Sequence, residues 1–170
     1  MLEITPLTPE FAIAPQTTLD DIEVIRDRGF RSILNARPDD ETGDYLRSGD
    51  AAKAARALGL EYAHAPAANH AMFDPDTVDR FEKALVELPN PVLAHCKSGT
   101  RAAILWALVA ARHLHVNDVI LILNKAGQDL EFLEQELQDQ ASQARSSPFR
   151  LKDAGLLSLG RSMLLGPRAG

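Results

Sequence analysis

The sequence predicts an α/β fold: three layers, with a mostly parallel four- or five-stranded sheet flanked by helices. Three observations carry this. Short apolar runs alternate with amphipathic stretches from Phe11 to about residue 114, which is the pattern of repeated strand–helix units. The runs are too far apart for tight hairpins, so each strand must reach the next through a crossover that covers the sheet. The stretch Pro91 to Leu114 passes from a short apolar run through a glycine-containing loop into a long apolar run free of Gly and Pro, as a buried strand feeding a buried helix does.

Residues 1–16 are polar with three prolines, and Phe11-Ala12-Ile13-Ala14 is the first predicted strand. Thr17 or Thr18 then caps a helix with Asp20 and Asp21 in its first turn and Leu19, Ile22 and Ile25 as its buried stripe, ended by Gly29. Phe30 to Asn35 is a second strand, opening into Arg37-Pro38-Asp39-Asp40-Glu41 and a mobile acidic loop over 39–44. Leu46 to Leu58 is helical and stops at Gly59, and Glu61 to Ala65 is a third strand. Asp74 and Pro75 suit the N-cap and first position of a helix with Val78, Phe81, Leu85 and Leu88 inward. Pro91 to His95 is the central strand. After the long helix, Asn117 caps a helix over 118–126 and Asp129 a last one with Leu130, Leu133 and Leu137 inward, followed by a linker over 141–152 and a leucine-rich stretch from Leu156 to Leu165. No repeats occur.

The chemistry concentrates in His95-Cys96-Lys97-Ser98-Gly99-Thr100-Arg101. A strand entering a helix leaves backbone N–H groups unpaired at the helix start, and with the helix dipole these form an anion site. The single cysteine of the chain stands at its mouth. At a helix N-terminus beside cations a thiol pKa falls to ~3.5–7.5, so Cys96 is expected as a nucleophilic thiolate. Arg101 offers a planar fork for an oxyanion, Gly99 permits the turn, Ser98 and Thr100 supply hydroxyl donors, and Lys97 adds charge at the rim. The plain alternative is a buried structural cysteine.

Sites in open α/β sheets lie beyond the carboxyl ends of strands. Asn35 and Arg37 therefore join the candidates as contacts to substrate or to the groups that hold it, and His70 as an acid or a substrate contact, against a loop salt bridge from Arg37 to Asp39 or Asp40 and a merely solvated His70. Asp74 or Asp76 is a candidate acid, although capping accounts for both. His64 reads as a packed residue, and His113 and His115 as surface or helix-end residues.

The loop resembles those shared by cysteine-dependent phosphatases and rhodanese-type sulfurtransferases. The longer string HCKSGTR before a Leu/Trp-rich helix is similar to the bacterial beta-lactamase-hydrolase-like family, whose phosphatase-like fold is also described as a sulfurtransferase. The stretches Gly29–Asp39, Gly59–Tyr62 and Ala126–Leu130 match it in order. The resemblance implies a protein-tyrosine-phosphatase-like fold; joined to the reading of the residues it gives a single phosphatase-like catalytic domain over 1–144, with Cys96 and Arg101 catalytic and His95, Lys97, Ser98, Gly99, Thr100, Arg37 and His70 contacting substrate.

Phosphatases of this chemistry carry C-x5-R, whereas Cys96 to Arg101 is C-x4-R. The tighter ring suits one extra sulfur better than a tetrahedral phosphoryl group, and by resemblance it is the rhodanese length. The leading expectation is thus a sulfurtransferase. Cys96 takes the outer sulfur of thiosulfate or of a small persulfide such as glutathione persulfide, holds it as a persulfide, and yields it to a thiol acceptor, sulfite or cyanide. Fusions within the family imply a persulfide dioxygenase as partner in trans and a role in sulfide detoxification. The alternatives are a phosphatase working through a Cys96 phosphocysteine, and a non-catalytic anion-binding or redox-sensing module.

Composition narrows the rest. A net charge of −6 disfavours general nucleic-acid binding. A lone cysteine excludes a disulfide framework and a Cys-based zinc site, so no metal or cofactor is expected, and it points to a reducing compartment. With no signal-like start and no apolar run long enough for a bilayer, the expectation is a cytoplasmic protein without a membrane anchor. Residues 145–170 hold five basic residues and one acid, a net of +4, against −10 for the remainder, which marks a basic C-terminal tail that lies back on the body, binds an anionic partner or is simply solvated.

Overall fold

The computed structural model describes residues 1–144. The expected basic tail and the leucine-rich stretch after Leu156 lie outside the described residues.

The elements in chain order are β1 (Thr5–Thr8), β2 (Phe11–Ala14), α1 (Leu19–Asp27), β3 (Ser32–Asn35), α2 (Ser48–Ala57), β4 (Glu61–His64), α3 (Pro75–Glu87), β5 (Val92–His95), α4 (Thr100–Ala110), α5 (Val116–Lys125) and α6 (Glu134–Ala144), with single 3₁₀ turns at Asn69–Ala71 and Glu131–Leu133. The sheet has the order β1-β2-β5-β3-β4. β1 runs antiparallel to β2, and every other pair is parallel. The predicted α/β architecture and the central place of β5 are both present.

Side chains alternate across β2, β3 and β5, and the sheet therefore separates two cores. Leu93, Ile33, Ala12 and Ala14 face α1 and α2, packing on Ile22, Ile25, Ala51 and Ala55. Val92, Ala94, Leu34, Phe11 and Ile13 face the larger layer of α3 to α6. Nearly all of α4 is buried, as its unbroken apolar run requires, because β2 and β5 underlie it and α3, α5 and α6 surround it. Trp106 is fully buried there, with its ring 6.0 Å from that of Phe11.

Several elements differ from the sequence reading. β1 was not expected, because Pro6 within it disguises it; it is an edge strand, where a missing N–H does little harm. Thr18, rather than Thr17, caps α1, in a reciprocal capping box with Asp21. Leu19 is 56% exposed and outside the core, since the first residue of α1 lies beyond the stripe fixed by Ile22 and Ile25. α5 begins at Val116 with His115 in the N-cap position, two residues earlier than a cap at Asn117 would allow. Residues 141–144 continue α6 and are not linker. His113 and His115 are the helix-end residues expected, after α4 and at the start of α5, but His113 is largely covered, with its Nε2 3.4 Å from Glu82 Oε2.

The register sets up the site. Ala14, His95, Asn35 and His64 stand in one row across β2, β5, β3 and β4, each the last residue of its strand. The chain that leaves this row delivers Gln16, Cys96, Arg37 and Pro66–Ala67 to one edge of the sheet.

Candidate active site

Cys96 follows the end of β5 and is fully buried against the α4 side of the sheet. The loop turns back at Gly99, the N-cap of α4, whose φ of 95° is left-handed. A Cβ at this position would come 3.4 Å from the backbone C and O of Ala14, so the loop lies tightly on the end of β2. Gly99 N–H donates to Cys96 Sγ at 3.1 Å. The other amides of the loop, at Lys97, Ser98, Thr100 and Arg101, have no protein partner among the described residues. This is a nest of free donors at the start of a buried helix, a suitable seat for negative charge. Two backbone bonds anchor the loop: Gln16 N–H to Lys97 C=O at 3.0 Å, and Ala36 N–H to His95 C=O at 2.9 Å.

Arg101, on the first turn of α4, is buried. Its Nη1 donates to Glu41 Oε2 at 2.7 Å and to Ala67 C=O at 2.8 Å, and its Nη2 to Glu41 Oε1 at 3.3 Å. A guanidinium has five N–H groups in a rigid plane. Three are taken by the protein, and Nε–H with the second Nη2–H remains as a side-on fork for a bidentate oxyanion.

Arg37 is also buried, but its guanidinium meets protein groups: Nε donates to Glu41 Oε1 at 3.0 Å, Nη1 to Gln16 Oε1 at 3.2 Å, and the plane stacks on Tyr45 at 3.4 Å. Its ion pair is with Glu41, one residue beyond the Asp39 and Asp40 expected. Two guanidinium groups share this carboxylate, leaving the trio with a net positive charge beside the loop. Hydrogen bonding from Arg101 above all, with Arg37 adding to it, holds Glu41 below the usual carboxylate range.

The stretch 39–45 is thus tied down. Asp39 accepts from Ser48 N–H at 2.8 Å, closing the start of α2, and Tyr45 Oη donates to Pro38 C=O at 2.6 Å while accepting from Glu41 N–H at 3.1 Å. Arg47 stacks on the opposite face of the Tyr45 ring. Glu41 and Tyr45 escaped the sequence reading because a run of acids after a strand looks the same whether it is solvated or folded onto two arginines. The one available clue was the four-residue spacing from Arg37 to Glu41.

Other candidates fall into place around this centre. His95 is buried, with Nδ1 3.4 Å from Cys96 O and Nε2 unpartnered; burial pushes its pKa down to about 4, so it is neutral at neutral pH. Asn35 accepts Arg37 N–H at 2.8 Å and donates to Tyr62 Oη at 2.9 Å, and His64 Nε2 lies 2.8 Å from Arg37 O, so both act on the backbone at the strand ends. Lys97, Ser98 and Thr100 are exposed on the loop. The segment after β4 reaches the site through the Ala67 carbonyl, while His70 sits exposed on the following 3₁₀ turn. Asp74 is the N-cap of α3 by position without a side-chain cap bond, and both it and Asp76 are exposed.

Known proteins resemble this chain in sequence and in fold. A beta-lactamase hydrolase-like protein of Xylella fastidiosa is 36% identical over 107 residues, 63% of this chain and 25% of its own length. One of Agrobacterium fabrum is 34% identical over 102 residues. The chain therefore spans about a quarter of the length of these curated relatives. Among solved structures, a candidate phosphatase of Neisseria meningitidis superposes with a TM-score of 0.69 at 28% identity, over 81% of this chain and 97% of that one. A kinase-associated phosphatase, studied with its catalytic cysteine changed to serine, superposes at 0.64 over 86% and 97% with 16% identity, which is a likeness of fold alone. The phosphatase-like domain of the beta-lactamase hydrolase-like proteins matches residues 3–113, well over half the chain and all of the sheet and cysteine loop, and to that family the chain belongs.

Proposed function

We propose that the chain is a cysteine-dependent phosphatase acting on a phosphoester. The observation that carries this reading is the fork left free on Arg101 beside a cysteine loop whose amides are unpaired. Such a group binds a tetrahedral oxyanion, and the likeness to phosphatases supports it. In the first step the Cys96 thiolate attacks phosphorus; the S–P bond forms as the P–O ester bond breaks, with the fork and the loop amides on the equatorial oxygens. In this reading the leaving oxygen takes its proton from water, because Glu41, the carboxylate that touches Arg101, is held ionised. Water then cleaves the S–P bond, releasing inorganic phosphate and the thiolate. Without a poised acid, esters of acidic alcohols such as phenols are the better substrates. The test is turnover of p-nitrophenyl phosphate with trapping of a phosphoryl adduct by mass spectrometry. Cys96→Ser removes both with the fold intact, a rate loss of about a thousandfold or more. No turnover and no adduct in the native chain would sink this reading.

A second reading is favoured by one feature, the six-residue length of the loop from Cys96 to Arg101. Here the thiolate attacks the outer sulfur of thiosulfate, the S–S bond breaks, sulfite leaves, and Cys96 carries a persulfide. Cyanide or an acceptor thiol then removes the sulfane sulfur and restores the thiolate. A small persulfide is the other donor class, with a persulfide dioxygenase in trans as partner. Cyanide-dependent thiocyanate release from thiosulfate, without phosphate turnover, would establish it over the first.

A further inference from the structure

We propose that Gln16 and Arg37 are positioning residues for the anion site, members of a closed circuit that ties one end of the cysteine loop to the other. This rests on the reading of the loop as an oxyanion seat. The circuit starts at Lys97, whose carbonyl accepts from Gln16 N–H at 3.0 Å. The Gln16 side chain accepts from Arg37 Nη1 at 3.2 Å and donates through Nε2 to Thr17 C=O at 3.0 Å and Leu46 C=O at 3.4 Å. Its carboxamide therefore has little freedom to turn away from Arg37. Arg37, held flat on Tyr45, passes the constraint to Glu41 through Nε at 3.0 Å. Glu41 closes the circuit by gripping the end-on face of Arg101. The loop backbone from Lys97 to Arg101 is the remaining arc.

The arrangement decides which way the free fork of Arg101 faces. A guanidinium on a three-carbon stem swings freely unless its outer donors are held. Glu41 holds them together with the Ala67 carbonyl, but a glutamate side chain, even on a backbone tied down through Tyr45, is itself free to turn. Arg37 is what fixes it, by charge and by direction, and Gln16 fixes Arg37 relative to the same backbone that carries the loop. Ala14, immediately before this corner, also sets the height of Gly99. Lost alignment of a catalytic group by about 1 Å lowers rates by up to about a hundredfold, so a circuit of this kind has a measurable effect without touching substrate.

The experiment is a direct titration of the full chain with inorganic phosphate, by calorimetry or NMR, alongside p-nitrophenyl phosphate kinetics and thermal melts. In Arg37→Met the phosphate dissociation constant is expected to rise about tenfold, with KM rising in step and kcat/KM falling further. Gln16→Ala shifts all three in the same direction but less, and serves as the deciding variant if Arg37→Met does not fold. Arg37→Lys keeps the charge but loses the planar contact with Tyr45 and the second donor, and restores less than half of the lost affinity. In the double variant Arg37→Met/Glu41→Gln the losses are less than additive, because both act through Arg101. If the native chain binds phosphate and both Arg37→Met and Gln16→Ala bind it equally well, with only the melting temperature lowered, the positioning role is overturned and the two residues are structural. If the native chain itself binds no phosphate, the oxyanion reading fails and this inference falls with it.

Discussion

At the scale of single residues, the site depends on how five N–H groups are divided. Arg101 gives three to the protein and keeps two. Glu41→Gln preserves the shape of the holder but replaces a charged acceptor by a neutral amide that can take only one of the two guanidinium groups well. We expect kcat/KM for an aryl phosphate to fall by roughly tenfold to a hundredfold, with phosphate affinity falling alongside. Were Glu41 instead a stand-in ligand occupying the oxyanion seat, the same substitution would tighten phosphate binding, so the sign of the change in inhibition constant is decisive. Gly99 is the other residue with no freedom. Gly99→Ala places a side chain in left-handed backbone and against Ala14, and is expected to cost about 1–3 kcal/mol in chemical denaturation, together with activity. Cys96 and Arg101 were legible as a pair because their spacing and the strand–loop–helix setting are local. Glu41 was not, since it stands 60 residues from its partner.

At the scale of elements, the helices and strands follow from local rules and the departures have local causes. α1 begins where Thr18 and Asp21 satisfy each other's backbone donors, and Thr18→Ala should lower stability by about 1 kcal/mol, read from a shift in denaturation midpoint at unchanged slope. A larger loss would mean that Thr18 does more than cap. β1 went unseen because pairing, rather than composition, makes it a strand: Thr5 lies opposite Ile13 and Pro6 opposite Ala12 across a hairpin at the sheet edge. The acidic stretch after β3 was expected to move, and instead Tyr45, wedged between Arg37 and Arg47, turns it into a fixed strap. That outcome needed arginines from the end of β3 and the start of α2 on opposite faces of one ring, which no periodicity announces.

At the scale of the whole molecule, the end of the central strand carries a buried, neutral imidazole, and this gives a pH signature. His95 has a folded pKa of about 4 against an ordinary 6.5, lowered first by burial. The unfolded chain therefore binds the proton that the folded chain refuses, and stability rises with pH between those values. It is complete above pH about 6.5 and is lost as pH falls toward about 4, on the order of 3 kcal/mol in all. Glu41, whose folded pKa is depressed, adds its own loss only at lower pH, as its carboxylate is protonated. Denaturation free energies measured from pH 7 to 4.5 should show this slope, and His95→Asn should flatten it; an unchanged slope in that variant would remove His95 as its source. No helix among the described residues is long and apolar enough to cross a membrane. By itself the sequence determined the α/β class, the central place of β5, the burial of α4 and the cysteine loop at its tip, because each is written in short-range hydrophobic order and turn chemistry. The tertiary structure alone decided that four strand ends share one row, that one glutamate serves two arginines, and that Arg101 keeps a free fork. Those are contacts between residues far apart in the chain, chosen by which groups must be paired once water is excluded, and local sequence carries no record of that choice.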